Sequence, residues 1–167
     1  MHHSDFIPML FSALGCKTYL ELGVYEGETI KKMKDISEFC ACVDTRDFHM
    51  DGVTTFRMTT EQFFADIGTI YRGFFDMIFI DADHRFEAVN RDFNFSLDLL
   101  RSCGTIILHD TDPAEKRLLD FGYCGDAYKM VDKINSLCGF SQITIPLTEA
   151  GLTIVRRNSD RRIFNFL

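Results

Sequence analysis

Tryptophan is absent from this 167-residue chain, and proline occurs only three times. No repeat or low-complexity linker divides the sequence, and the length fits one domain over residues 1–167. Positive charge is also short: 18 basic against 25 acidic residues leave a formal charge of −7. Phosphate contacts dominate the affinity of nucleic-acid binders, so an acidic total argues against a DNA or RNA partner. The one basic cluster, Arg156, Arg157, Arg161 and Arg162, reads as a solvated end. No window approaches the roughly 18 apolar residues of a membrane span. The start, Met1 to Asp5, lacks the basic and long apolar regions of a signal peptide. None of the six cysteines falls in CxxC spacing, which removes support for a zinc ribbon or a thioredoxin-type motif. A cytoplasmic protein with reduced thiols is the expectation.

What is present is ordinary globular material, 46% apolar and 26% charged, with 17 phenylalanines to fill a core. The segments alternate between strand-like and helix-like, which predicts a mainly parallel sheet covered by helices on both faces. Ser4 or Asp5 can cap a first helix bearing Phe6, Leu10, Phe11 and Leu14 on one side. Strands are expected at 18–22, 39–43, 53–58, 75–80, 105–108, 140–147 and 152–157, and helices at 28–36, 60–70, 86–100 and 126–137. Cys40 and Cys42 alternate, and so share one face of their strand. Asp126 is the expected cap of the last helix. The four residues 148–151 suit a hairpin, so one of the last two strands runs antiparallel. The 15-residue connection 111–125 is long enough to suggest a functional lid or wall.

In open α/β sheets, ligands bind beyond the carboxyl ends of the strands. Those ends carry Glu21 to Gly27, then Asp44, then Thr59 and Thr60, then Asp81 to His84, then His109 to Thr111. Acidic and polar groups therefore collect along one edge of an apolar sheet.

Three segments carry a family resemblance. Residues 19–29 (YLELGVYEGET) resemble motif I of class I S-adenosylmethionine-dependent methyltransferases, with Tyr25 where the middle glycine usually stands. Residues 75–89 (FDMIFIDADHRFEAV) and 102–111 (SCGTIILHDT) resemble the fourth- and fifth-strand signatures of the small, Methyltransferase-24-like O-methyltransferases, which include sugar and antibiotic enzymes. The likeness spans residues 17–157 in the expected order. It implies a doubly wound, Rossmann-like α/β fold with seven strands in the order 3-2-1-4-5-7-6, one of them antiparallel.

Gly23 and Gly27 allow close backbone approach and positive φ. The loop lacks the G-x-G-x-x-G spacing suited to a pyrophosphate. S-adenosylmethionine carries no phosphate; its sulfonium and amino groups favour a carboxylate, and Glu21 is in place. Asp44 can accept from both ribose hydroxyls, or simply end a strand. Thr59 and Thr60 could border the adenine, with Thr60 equally suited to cap the next helix. Glu21, Gly23, Tyr25, Gly27, Asp44, Thr59, Thr60 and Asp81 are thus the expected cofactor site.

For the family's divalent metal, Mg²⁺ or Mn²⁺, the resemblance implies Asp81 and Asp110, with His109 in place of an acidic residue. Imidazole suits Mg²⁺ poorly and Mn²⁺, Fe²⁺ or Zn²⁺ better. Asp83 and His84 stand equally as candidates for the base that activates a hydroxyl, beside Asp81. The expected reaction is methyl transfer to a small-molecule hydroxyl. Two alternatives are a non-catalytic S-adenosylmethionine-binding subunit and an NAD(P)-dependent oxidoreductase. The N/D-P-P-Y/F motif of many amino-methylating enzymes is missing. Residues 163–167 (IFNFL) are apolar enough to pack on the domain or on a second copy, giving a homodimer.

Overall fold

The computed structural model describes residues 1–158. Seven strands form one sheet in the order β3-β2-β1-β4-β5-β7-β6. They are β1 (Thr18–Leu22), β2 (Phe39–Asp44), β3 (Thr54–Arg57), β4 (Phe75–Ile80), β5 (Leu100–His109), β6 (Phe140–Ile145) and β7 (Leu152–Arg157). The first five pair in parallel, and β7 runs antiparallel to both β5 and β6. β1, β4 and β7 occupy the expected ranges. Every residue of β1 is buried, as suits a central parallel strand covered on both faces.

Side chains alternate between two cores. Leu20, Leu22, Ala41, Val43, Ile78 and Ile106 face one side. There they meet α3 (Thr60–Asp66), α4 (Phe86–Leu99) and α5 (Lys129–Asn135) through Phe63, Phe93 and Met130. Tyr19, Cys40, Cys42, Met77, Phe79 and Ile107 face the other. That side is covered by α1 (His3–Ala13) and α2 (Glu28–Met33) through Ile7, Phe11, Ile30 and Met33. Cys40 and Cys42 share a face, as their alternation requires.

Several boundaries differ from expectation, each for a local reason. Neither Ser4 nor Asp5 caps α1. His2 does, accepting from the Ser4 amide, while Asp5 pairs with Lys32. Ile7 replaces Leu14 on the buried stripe, and Leu14 is exposed. α3 stops at Asp66, and Gly68–Tyr71 tightens into a 3₁₀ turn. β6 ends at Ile145 because Pro146 has no amide to donate. β5 begins five residues early, with an irregular register between Phe75 and Met77 on β4. α5 begins at Lys129 rather than after Asp126, whose carboxylate is engaged by the Phe86 amide at the start of α4.

Arg156 and Arg157 do not form a solvated end: their guanidinium groups donate to the carbonyls of Cys103 and Leu97. Arg161, Arg162 and residues 163–167 lie outside the described residues. Among the described residues, no helix is long and apolar enough to cross a membrane.

Candidate active site

The strand order turns back at β1, with β2 on one side and β4 on the other. A cleft of about 880 Å³ opens at the carboxyl ends of the strands there, where crevices form in doubly wound sheets. Its floor is the loop after β1. Gly23 has φ +86°, and a Cβ there would stand 2.3 Å from the Asp81 carbonyl oxygen. Glycine is therefore what lets the loops after β1 and β4 touch. Tyr25 sits at φ +50°, in the left-handed region, with its side chain mostly exposed. Gly27, at φ +78°, precedes the first turn of α2 and packs against Phe48.

Glu21 is 2% exposed and accepts a 2.7 Å hydrogen bond from the Tyr19 hydroxyl. Burial holds its carboxyl well above the usual carboxylate range. Asp44, at the end of β2, behaves oppositely. Burial alone would raise it, but Arg46 and the Val24 amide donate to it and hold it at about 2. The Arg46 guanidinium also lies 5.4 Å from the centre of the Tyr25 ring.

On the β4–β5 side, His109 Nδ1 lies 3.0 Å from Asp81 Oδ1 and 3.2 Å from Asp110 Oδ1. Burial would lower its pKa, but the two carboxylates raise it to about 10. Its ring is edge-on to His3 at 4.5 Å, and burial beside that cation lowers His3 to about 4. His84 Nδ1 is 3.3 Å from Asp110 Oδ2, yet it is buried without a hydrogen bond of good geometry. Asp110 itself has φ +61° and is buried. The Cys124 thiol donates to it, and burial with that carboxylate pushes the thiol up to about 12.

Of the residues singled out in the sequence, Glu21, Gly23, Tyr25, Asp44, Asp81, His84, His109 and Asp110 line this cleft. Gly27 shapes the loop from behind. Thr59 and Thr60 are placed elsewhere. Thr59 caps α3 in a reciprocal box with Gln62, and Thr60 donates to Asp92 at 2.9 Å. Capping therefore falls to Thr59 rather than Thr60, and both threonine hydroxyls serve helix packing. Asp83 also lies off the lining, its carboxylate closed on the backbone and side chain of Arg85.

Among the described residues, one group has donor atoms within 4.8 Å of one another: Asp81, His84 and Asp110. His84, not His109, completes it, because His109 Nδ1 is spent between the two carboxylates. The cleft also takes in His2, the cap of α1, His3 in its first turn, Arg46 after β2, and Thr148 to Ala150 from the β6–β7 turn. The sequence carried little signal for His2, His3 and the turn, which come from segments distant in the chain, whereas Arg46 lies two residues past Asp44 and was within reach of that reading. The turn reaches the site because Asp112 and Ala114 donate to the Ala150 and Glu149 carbonyls.

A family model described as Methyltransferase domain matches residues 20–111. No curated protein matches the sequence. Among solved structures, cofactor-bound Rv0187 from MTB superposes with a TM-score of 0.74 at 15% identity, covering 92% of this chain and 78% of that one. TomG from Streptomyces achromogenes, an O-methyltransferase of tomaymycin synthesis solved with SAM, gives 0.71 at 14% identity, covering 93% and 79%. MycE from the mycinamycin pathway, solved with Mg, SAH and mycinamycin VI, gives 0.66 at 15% identity, covering 87% of this chain and 45% of that one.

Proposed function

The chain belongs to the methyltransferase-domain family, and from that premise we propose that it moves a methyl group from S-adenosylmethionine to a hydroxyl oxygen of a small molecule. The observation that carries this reading is the pairing of Glu21 and Asp44 on the two sides of the Gly23 loop. A buried carboxyl faces the cationic end of such a donor, and an ionised one stands where a ribose would lie. A dinucleotide is a poor fit. Its pyrophosphate would meet Glu26 and Glu28 at the start of α2, both of which line the cleft.

The chemistry asks for alignment and one proton acceptor. The hydroxyl oxygen attacks the methyl carbon in line with the departing sulfur. The O–C bond forms, the C–S bond breaks, and its electron pair returns to sulfur as a neutral thioether. The proton goes to His84, which the geometry favours over Asp83. Asp110 Oδ2 stands 3.3 Å from His84 Nδ1, so Nε2 is the nitrogen left to accept. Asp83 is neutralised by Arg85 and stands outside the cleft lining. His109, protonated between Asp81 and Asp110, holds those two carboxylates in place.

A second reading is favoured by the convergence of Asp81, His84 and Asp110. The misaligned, buried His84 Nδ1 beside two carboxylates fits a divalent cation held by these three side chains. One imidazole with two carboxylates suits Mn²⁺ better than Mg²⁺. Bound there, such an ion would supply Lewis-acid polarisation of the hydroxyl.

Titration calorimetry with S-adenosylmethionine, S-adenosylhomocysteine, NAD and NADP tests the assignment. Binding of the first two without the last two is expected. Tight NADP binding with no heat from either adenosyl compound would replace the reading with an oxidoreductase.

A further inference from the structure

Asp44 has no acceptor position to spare. Its Oδ1 accepts from the Arg46 amide at 2.8 Å and from Arg46 Nε at 3.1 Å. Its Oδ2 accepts from Arg46 Nη2 at 2.9 Å and from the Val24 amide at 2.9 Å. A carboxylate offers about four lone-pair sites, and these four donors fill them. Two come from the backbone and are built into the turns after β1 and β2. The other two are the parallel arms of one guanidinium fork. That side chain is 52% exposed, whereas the Asp44 side chain is 7% exposed.

We propose that Arg46 occupies the ribose position on Asp44 and competes for it with the hydroxyls of a cis-diol ligand. The inference rests on the reading of the cleft as an adenosyl site. The 2′- and 3′-hydroxyls of a ribose form a bidentate donor pair, as the guanidinium fork does. They can replace both arms at once, while the two backbone amides keep the carboxylate in register. A single hydroxyl replaces one arm and leaves the other oxygen short of a donor, so a 2′-deoxy ligand ends the exchange one hydrogen bond down.

The displaced guanidinium has a place to go. It already lies 5.4 Å from the Tyr25 ring centre, and Tyr25 is held toward the cleft mouth by its left-handed backbone. Arg46 therefore competes with the ligand rather than supporting it. Because the Arg46 side chain is half exposed, the competition is modest in size. A lysine keeps the positive charge but has no fork, so charge and geometry can be separated.

Titrating wild type, Arg46→Met and Arg46→Lys with S-adenosylhomocysteine, then with adenosine and 2′-deoxyadenosine, tests this. Arg46→Met should bind S-adenosylhomocysteine three- to tenfold more tightly than wild type. Wild type and both variants should prefer adenosine over 2′-deoxyadenosine by a similar factor, because either ligand displaces the same fork, with lysine behaving like methionine. Equal or weaker binding of S-adenosylhomocysteine by Arg46→Met overturns the role of Arg46 while leaving the adenosyl site intact. If none of the three proteins binds S-adenosylhomocysteine, the adenosyl reading itself fails and the inference falls with it.

Discussion

The carboxylate of Asp126 accepts a 2.6 Å hydrogen bond from the amide of Phe86, forty positions earlier in the chain. Arg85, the residue preceding α4, makes no side-chain cap of its own, so Asp126 supplies the missing one from the far end of the connection between β5 and α5. The return bond runs from the Asp126 amide to the His84 carbonyl. The wall of the cleft and the segment bearing His84 are thereby tied together. Asp126→Ala should cost about 1 kcal/mol, the usual worth of a helix cap, and lower Tm by about 2–4 °C. Calorimetric melting measures the loss, and an unchanged Tm would show that solvent caps α4 equally well.

On the proposed adenosyl site, Glu21 should make ligand binding depend on pH. Burial raises its carboxyl well above the ordinary range, so it holds a proton that a cationic ligand must drive off. Affinity for S-adenosylmethionine should rise with pH, by at most tenfold per unit, and level off above the raised pKa. Calorimetry in buffers of different ionisation enthalpy should register the released proton. Glu21→Gln should bind weakly and without that slope; a slope that persists in the variant would assign the proton to another group.

Asp92 gives stability a pH dependence of its own. It is 1% exposed on α4, bonded to Thr60 through one oxygen, and burial raises it to about 6. An acid raised on folding stabilises when protonated. Its contribution is complete below the unfolded pKa near 3.9 and disappears as pH climbs through 6. Asp92→Asn should therefore gain on the order of 2 kcal/mol over wild type at pH 8 and little at pH 4. Urea unfolding at the two values checks this, and equal differences at both would remove burial of the charge as the cause.

The three converging donors make a prediction about metal binding. Manganese added to the protein should lose its free-ion electron paramagnetic resonance signal. His84→Ala and Asp110→Asn should each restore it by weakening affinity at least tenfold. Asp83→Asn should leave it unchanged, because that carboxylate is closed on Arg85. Retention of manganese by His84→Ala would dismiss the imidazole as a ligand.

How much was legible beforehand depended on how local the signal was. β1, β4 and β7 have the ranges their apolar runs mark, because a buried parallel or sheet-interior strand needs only continuous β-forming side chains. Cleft residues next to strand ends, such as Glu21, Asp44 and Asp81, were also within reach, since the end of a strand and the edge of the sheet coincide. Caps were less accessible. Asp126 stands where a cap of α5 belongs, yet it serves α4, because an acceptor goes to whichever orphan amide the packing brings within range. Thr59 and Thr60 border a strand end too, but their hydroxyls turn to α3 and Asp92.

The alternation of strand-like and helix-like segments was enough to settle the class of fold and the edge at which the cleft opens, while the strand order was what the family resemblance implied. Which donors meet across that edge was settled by distances between elements far apart in the chain. His84 rather than His109 joins Asp81 and Asp110, because the β4–β5 register places His109 Nδ1 between the carboxylates. His3, from the first helix, packs on His109. Hydrogen bonds need donor and acceptor within about 3 Å and well aligned, so such partnerships exist only once packing has set the positions.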